Sequence, residues 1–274
     1  MNTVPRLDRW TQVVVYGLML AATSCAGRDR DGRHDERMQP HEKPSSGSRV
    51  LIPHVSNGQL AGRSDTPVWT GVEIYNASRT ESARITLHYY HSCGALAHSY
   101  SPPDSIEAGE SATFLTPDPI KGMGSRPWTG SVVVESERGT PIRASVQVLD
   151  ASATRDADAY EGIVEPASAW TMPRLDVVPE AATVIAIQNA ADETTSVVVR
   201  FTDGQRRALE LDAHQTGYVW PTDAGARPEP GVQPQRGQVG ATVEATHEVA
   251  VTVLEYRPSS INGYVATGGE LMDS

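Results

Sequence analysis

The chain has 274 residues, of which 39% are hydrophobic, and its 34 acidic and 23 basic side chains give a formal charge of −11. This length suits one large domain or two ordinary ones, and frequent Val, Thr, Gly and Pro favour strands and turns over helices. A net acidic chain lacks the cationic surface that phosphate backbones require, so the composition argues against nucleic-acid binding.

Residues 1–24 have the three-part layout of a secretory signal peptide. A weakly basic start precedes an uncharged apolar run at 13–22, which is too short to span a bilayer comfortably. Small residues then lead directly to Cys25. This arrangement resembles a bacterial lipoprotein signal, which implies that the Cys25 thiol is acylated and becomes the new N-terminus. The alternative is an ordinary cleaved signal, with Cys25 near the cut by chance.

The lipoprotein interpretation predicts where the protein is located. An acyl anchor on Cys25 would hold the chain outside the cytoplasm, on the outer membrane or cell surface, without a membrane-spanning helix. Residues 25–49 have mixed charges and almost no apolar side chains, so we expect a flexible tether.

The rest of the chain is an internal duplication, with a first unit at 50–165 and a second at 166–267. Both units close on a tyrosine and a glycine, at 160–162 and 263–264. Six blocks recur in the same order. They are 50–55 and 170–175, 69–77 and 182–190, 83–90 and 196–201, 106–114 and 211–219, 130–136 and 240–246, and 142–148 and 249–255.

Each unit contains six or seven short strands separated by turn residues. Alternation of apolar and polar residues, as at 85–89, predicts strands with one buried and one solvent-facing side. We therefore predict an all-β fold of two tandem antiparallel β-sandwich domains of immunoglobulin- or fibronectin-like type. Residues 151–166 are interpreted as the crossover between them and 268–274 as a tail.

Several short motifs carry a resemblance across about 50–267. They include Trp-Thr-Gly at 69–71, Asn-Ala at 76–77 and Tyr-Glu-Gly at 160–162. This pattern is similar to an uncharacterised sandwich repeat of bacterial secreted and surface proteins. The second copy departs from it, since Ala182 replaces Trp69. The resemblance implies an adhesive or scaffolding module and supplies no catalytic residues.

One cluster has the composition of a metal site. His91, Cys93 and His98 could supply imidazole and thiolate ligands for zinc or copper if a turn brought them together. The alternative is a strand that ends in a polar loop. If Cys25 is acylated, Cys93 has no partner within the chain, and we expect its thiol to be buried rather than paired between chains.

Tryptophans near strand ends are candidate contacts for a glycan or a protein partner. Trp69, Trp128 and Trp220 could act as stacking platforms, although tryptophan is more often a core residue.

The sequence has none of the common catalytic or cofactor-binding patterns. A nucleophile elbow, a His-Glu-x-x-His zinc motif, a phosphate-binding glycine loop and an EF-hand are all missing. We therefore expect a protein that is not an enzyme and needs no cofactor. The leading hypothesis is an anchored envelope lipoprotein that mediates adhesion, scaffolding or assembly through protein contacts. The alternatives are a carbohydrate-binding module and a metal-binding periplasmic protein.

Overall fold

The computed structural model describes residues 47–58, 68–115, 128–150, 158–177, 182–221, 237–257, 260–265 and 267–268. Within these ranges the chain forms antiparallel sheets and no α-helix, which confirms the predicted all-β class. The strands of the first half are β1 (Arg49–Asn57), β2 (Val68–Asn76), β3 (Ile85–His91), β4 (Leu96–Tyr100), β5 (Ser111–Leu115), β6 (Trp128–Ser136), β7 (Ile142–Asp150) and β8 (Asp158–Glu161). The strands of the second half are β9 (Ala167–Val177), β10 (Ala182–Asn189), β11 (Thr195–Phe201), β12 (Arg206–Leu211), β13 (Thr216–Val219), β14 (Gly237–Arg257), β15 (Ser260–Val265) and β16 (Thr267–Gly268).

The first eight strands form two layers around one core. One layer has the order β4-β3-β6-β1 and the other the order β5-β2-β7-β8, and pairing of Asn57 with Trp69 joins them. Successive side chains of a strand point to opposite faces, and Ile52 of β1 and Val72 of β2 belong to the same buried cluster. The first half is therefore sandwich-like.

The second half repeats this strand pairing. Its layers have the orders β12-β11-β14-β9 and β13-β10-β14-β15, and β16 adds to β9. Strand β14 has 21 residues and serves in both layers. Its first part pairs with β9 and β11 as β6 pairs with β1 and β3, and its last part pairs with β10 and β15 as β7 pairs with β2 and β8.

The register of the two halves also agrees. Asn76 pairs with Ile142, and the aligned Asn189 pairs with Val249. Both asparagines are fully buried, and each side-chain amide donates to a carbonyl across the fold, at 2.9 Å to Ile106 and at 3.0 Å to Leu211. The duplication seen in the sequence thus extends to individual hydrogen bonds.

A proline occupies the same irregularity in both halves. The ladder between β1 and β6 shifts within 52–55, and the ladder between β9 and β14 shifts where 172–175 lies on β9. Pro53 and Pro173 lie in these segments, and because proline has no N–H to donate, it is tolerated at a bulge. The bulge in β1 also contains His54, which is fully buried.

The strand order within each layer differs from that of an immunoglobulin domain. There the first strand pairs with the second and the seventh with the sixth. Here β1 pairs with β6 along most of its length, and β7 pairs with β2. The first and seventh strands have therefore exchanged places.

The structure corrects parts of the predicted connecting segments. Residues 158–161 of the predicted crossover form β8, and Ile163 forms a backbone bridge with Leu51 of β1. Backbone pairing also begins earlier than expected, because Gly47, within the predicted tether, bridges Ile142. Short strands of this kind carry too little periodicity to be recognised from sequence.

Candidate functional site

The three residues suggested as metal ligands lie on the β3–β4 hairpin. His91 ends β3, and its Nδ1 accepts a hydrogen bond from Trp128 Nε1 at 2.9 Å. Cys93 lies in the turn, and His98 pairs with Tyr89 across the hairpin. Within the described residues, no three His, Cys, Asp or Glu side chains are grouped so that they could hold a metal ion. The hairpin therefore does not bring His91, Cys93 and His98 together as a metal site.

The expectation that Cys93 is buried is wrong, because its thiol is exposed. The turn closes with a hydrogen bond from the amide of His91 to the carbonyl of Ala95 at 2.9 Å, and Gly94 has a φ of 86°. A tight turn of this kind holds the residue at its tip away from the core, which explains the exposure.

The candidate tryptophans have different environments. Trp128 is only 7% exposed and belongs to the first core, so the expectation that it contacts a glycan or partner is wrong. Trp220 is partly buried against the same core and lies beside Tyr218. Trp69 is half-buried and lies on the outward side of β2, since its neighbour Val68 points into the core.

The two halves pack against each other along a surface that we call the inter-half interface. It joins the outward side of β1 to the outward sides of β10 and β14, and Tyr218 of β13 packs against the core of the first half. Leu51 of β1 belongs to the core of the second half, whereas Val184 and Leu254 belong to the core of the first. The same strands thus contribute to both cores through alternate residues.

A buried histidine and a tyrosine meet at this interface. His54 Nδ1 and the Tyr218 hydroxyl are hydrogen-bonded at 3.2 Å, and their rings pack edge to face. The Tyr160 hydroxyl donates to the His54 carbonyl. Burial lowers the pKa of His54 to about 3 and raises the pKa of Tyr218. Both side chains are therefore neutral near pH 7.

A second tyrosine and histidine pair lies elsewhere on the interface, with the roles of the halves reversed. The ring of His214, from the second half, packs on Tyr90 of the first half with centroids 4.6 Å apart. His214 Nε2 lies 3.3 Å from Asp192 Oδ1, yet desolvation lowers the pKa of His214 overall. His214 has a φ of 59°, and the aligned residue of the first half is Gly109, with a φ of 76°. The strained backbone of His214 thus accompanies its ring contact with Tyr90, which a glycine such as Gly109 has no side chain to make.

The opposite side of the first half carries a set of outward-pointing side chains that no strand of the described residues covers. We call this surface the open face; it is the outward side of β5, β2, β7 and β8. Residues directly across from one another on these strands form its rows. They are Leu115, Gly71, Gln147 and Ala159; Thr113, Glu73, Ser145 and Glu161; Ser111, Tyr75 and Arg143; and, at the start of β2, Trp69.

Aromatic and charged groups share the open face. Tyr75 is 40% exposed and lies directly across from Arg143. The Nε atom of Arg143 is buried and makes no hydrogen bond within the described residues. Partial desolvation raises the pKa of Glu161, Arg143 opposes this change and Glu73 adds to it, so the three charged groups are within electrostatic reach of one another.

Sequence reasoning identified Trp69 but missed Tyr75, Arg143 and Glu161. The alternation of β2 places Tyr75 on the same side as Trp69, which was a usable signal. The other two residues lie on β7 and β8, whose register against β2 the sequence does not reveal.

The predicted signal peptide, Cys25 and the tether up to residue 46 lie outside the described residues. No helix in the described ranges is long and apolar enough to cross a bilayer.

No family model and no curated protein matches the chain. Two solved structures are similar to parts of it. A crystal structure of Thermotoga maritima 1070 matches with 13% identity and a TM-score of 0.32, covering 39% of this chain and 98% of its own. The Anabaena sensory rhodopsin transducer matches with 19% identity and a TM-score of 0.23, covering 32% and 97%. At these TM-scores neither likeness bears on function.

Proposed function

We propose that the protein is a non-catalytic bacterial lipoprotein, anchored outside the cytoplasm through acylated Cys25. Its body consists of two tandem sandwich domains in which the first and seventh strands have exchanged the places that they have in an immunoglobulin domain. It mediates adhesion or scaffolding in the envelope by presenting the open face to a partner.

The observation that supports this proposal is that the two halves present their sheet faces differently. Leu51, Val184 and Leu254 interlock across the inter-half interface, so the second half supports the first as a stiff body. The first half keeps an outward sheet face with Tyr75 and Arg143 on it. A rigid support with one face left open suits binding.

The burial of the most strongly perturbed groups supports a non-catalytic role. His54 and Tyr218, whose pKa values are strongly shifted, lie in the inter-half interface. A general acid or base must reach its substrate within hydrogen-bonding distance. Groups sealed between two sheets cannot do so, and their shifts are explained by packing alone.

The anchor is tested by metabolic labelling with an alkyne fatty acid and detergent phase partitioning in a bacterial host. Wild-type protein takes up the label and enters the detergent phase, and Cys25→Ser abolishes both. Cys93→Ser is the matched control, because it removes the exposed thiol of the body and should change neither result. Wild-type protein that stays unlabelled in the aqueous phase would contradict the proposal.

The partner class separates two versions of this function. The sequence favoured protein contacts, and a carbohydrate-binding module was the alternative.

A further inference from the structure

Strand β12 lies at one end of its layer, so its outer edge is not paired with any described strand. We call this edge the β12 edge. The ladder between β11 and β12 runs along the whole of β12 without a register shift. The corresponding edge strand of the first half, β4, has a shift where it pairs with Tyr89 and Tyr90. Because a bulge disrupts the backbone pattern of an edge, β12 is the more regular template for a further strand.

The register shows which backbone groups lie along the β12 edge. The Phe201 amide donates to the Gln205 carbonyl at 2.9 Å, which makes these two residues a hydrogen-bonded pair at the turn. Such pairs alternate with non-hydrogen-bonded pairs along an antiparallel ladder. The odd-numbered residues of β12 therefore bond to β11, whereas residues 206, 208 and 210 direct their N–H and C=O groups to the β12 edge.

The same three positions carry exposed side chains. Arg206, Ala208 and Glu210 are exposed, and Ala208 is the small residue in the middle. They lie on the outward side of the sheet, since the β11 residues that alternate with their partners belong to the core. Backbone groups and outward side chains of these residues are thus available together to a pairing strand.

The two charged groups of the β12 edge lack an opposite charge. Arg206 lies directly across from Arg200, and like charges in this position destabilise a strand pair. Arg200 is itself paired with Glu244 at 3.3 Å. Glu210 accepts a hydrogen bond from the Ser196 hydroxyl at 2.8 Å, but neither it nor Arg206 forms an ion pair within the described residues. The β12 edge therefore presents one unpaired cation and one unpaired anion.

Charge complementarity selects the partner for this edge. Charged side chains usually keep an edge strand from pairing with other chains. An antiparallel copy of β12 is different, because a two-fold axis at Ala208 places Arg206 across from Glu210 of the second copy, and Glu210 across from its Arg206. Ala208 meets its own equivalent at the axis, where a small side chain allows the two edges to approach. Such a contact is closed, so it stops at two copies.

We propose that the protein forms a two-fold dimer in which β12 pairs antiparallel with β12 of a second copy, centred on Ala208. This register uses every backbone group directed to the β12 edge, which gives about six backbone hydrogen bonds, with an ion pair at each end. The Arg206 carbonyl, which accepts from the Arg207 side chain at 3.1 Å in the single chain, accepts instead from the backbone of the second copy. The inference goes beyond the proposed function, since it requires neither the anchor nor the open face.

The first test is sedimentation velocity of the purified full chain in a mild detergent over a range of concentrations. The wild type should dimerise, and Arg206→Glu should weaken dimerisation at least about tenfold, because both ion pairs become repulsive. Adding Glu210→Arg to Arg206→Glu restores opposite charges and should restore the dimer. The matched control is Arg84→Glu, which makes the same charge change at an exposed position of the first half and should leave the dimer unchanged.

Three results of this measurement would overturn the proposal. They are a wild type that stays monomeric at every concentration, a dimer that Arg206→Glu leaves as stable as Arg84→Glu does, and a double variant that does not dimerise. Because all of these variants keep the same N-terminal region, sharing of a detergent micelle does not account for a difference between them.

Disulfide trapping tests the register without changing a charge. In a Cys93→Ser background, Ala208→Cys places two thiols at the axis with Cα atoms about 5.5 Å apart, which a disulfide can span. Oxidation should crosslink this variant into a dimer. Ala97→Cys on β4 is the matched control, and the background alone controls for Cys25; neither should crosslink to the same extent. Equal yields from Ala208→Cys and Ala97→Cys would overturn the assignment of the contact to the β12 edge.

Discussion

The same sheet face exists twice in this molecule, and the two copies have opposite uses. On β2 of the first half the outward residues at three successive positions are Gly71, Glu73 and Tyr75. The aligned positions on β10 of the second half are Val184, Ala186 and Gln188, each almost or completely buried. One copy is aromatic and charged and faces outward, whereas the other is small and mostly apolar and packs against the first half.

This difference shows how a duplicated fold obtains one internal contact and one external surface. Two identical faces would leave either two open surfaces or two that tend to self-associate. The small Ala186 on β10 allows close sheet packing, whereas the larger, charged Glu73 at the aligned position on β2 prevents it. The buried amide of Gln188, which makes no hydrogen bond within the described residues, marks the cost of adapting an outward position to burial.

The largest effect on stability is expected when a charged side chain, as found on the open face, is placed on the buried face of β10. Ala186→Glu places a carboxylate in the inter-half interface, where the residues across from it on the neighbouring strands are the uncharged Tyr218 and Thr252, and should lower the free energy of unfolding by about 3 kcal/mol or more. Glu73→Ala makes the reverse change at the aligned open position and should cost less than about 1 kcal/mol. Urea denaturation followed by tryptophan fluorescence measures both.

Similar losses in the two variants would mean that the aligned faces are equally buried. The contrast between burial of β10 and exposure of β2 would then be lost.

The second prediction concerns the loss of folding stability at acidic pH. The pKa of His54 is lowered to about 3 in the fold from an unfolded value near 6.5, so below pH 6.5 the unfolded state binds more protons than the folded state. Stability should therefore be complete above that pH and fall as the pH drops. The His54 contribution to this loss is about 2 kcal/mol between pH 7 and pH 5.

Urea denaturation at several pH values measures this slope. The His54→Gln variant should show a shallower slope than the matched control His247→Gln, which removes a half-exposed histidine instead of a buried one. The pKa of His214 is also lowered, so His214 makes stability depend on pH in the same direction. It contributes to the slope that remains in the His54→Gln variant. In the wild type, NMR should find the His54 ring neutral at pH 5; a protonated ring there contradicts the prediction.

Sequence reasoning could recover the fold where local patterns determine it. The alternation of β2 and the recurring Asn-Ala turns predicted strands in a repeated order, and the structure places Asn76 and Asn189 in matching hydrogen bonds. The burial of both sides of β10 is a feature that the sequence analysis missed, because alternation at Val184 and Ala186 was interpreted as one buried and one solvent-facing side. The usable signal was that 182–187 is apolar or small almost throughout, as expected for a strand covered on both faces.

Contacts between distant segments could not be predicted in this way. His54 and Tyr218 are 164 residues apart, and nothing local to either predicts that they meet. The same holds for Arg143 and Glu161, which join Tyr75 on the open face only through the register of three strands. The sequence therefore predicts which residues point outward but not which outward residues become neighbours.

The smallest predicted effect is a difference in stability between two glycine variants, and it tests one contact of the inter-half interface. Gly94 and Gly204 occupy matching turns with φ values of 86° and 90°, so alanine at either should cost about 1 kcal/mol in backbone strain. A Cβ at Gly204 would meet open space, whereas at Gly94 it would lie 2.5 Å from the carbonyl oxygen of Ala213 in the second half. Thermal unfolding should therefore show Gly94→Ala to be less stable than Gly204→Ala by a further 1 to 2 kcal/mol, roughly the cost of overpacking. Equal unfolding temperatures would mean that the β3–β4 turn does not press on the second half, because backbone strain is common to both variants and only the contact differs.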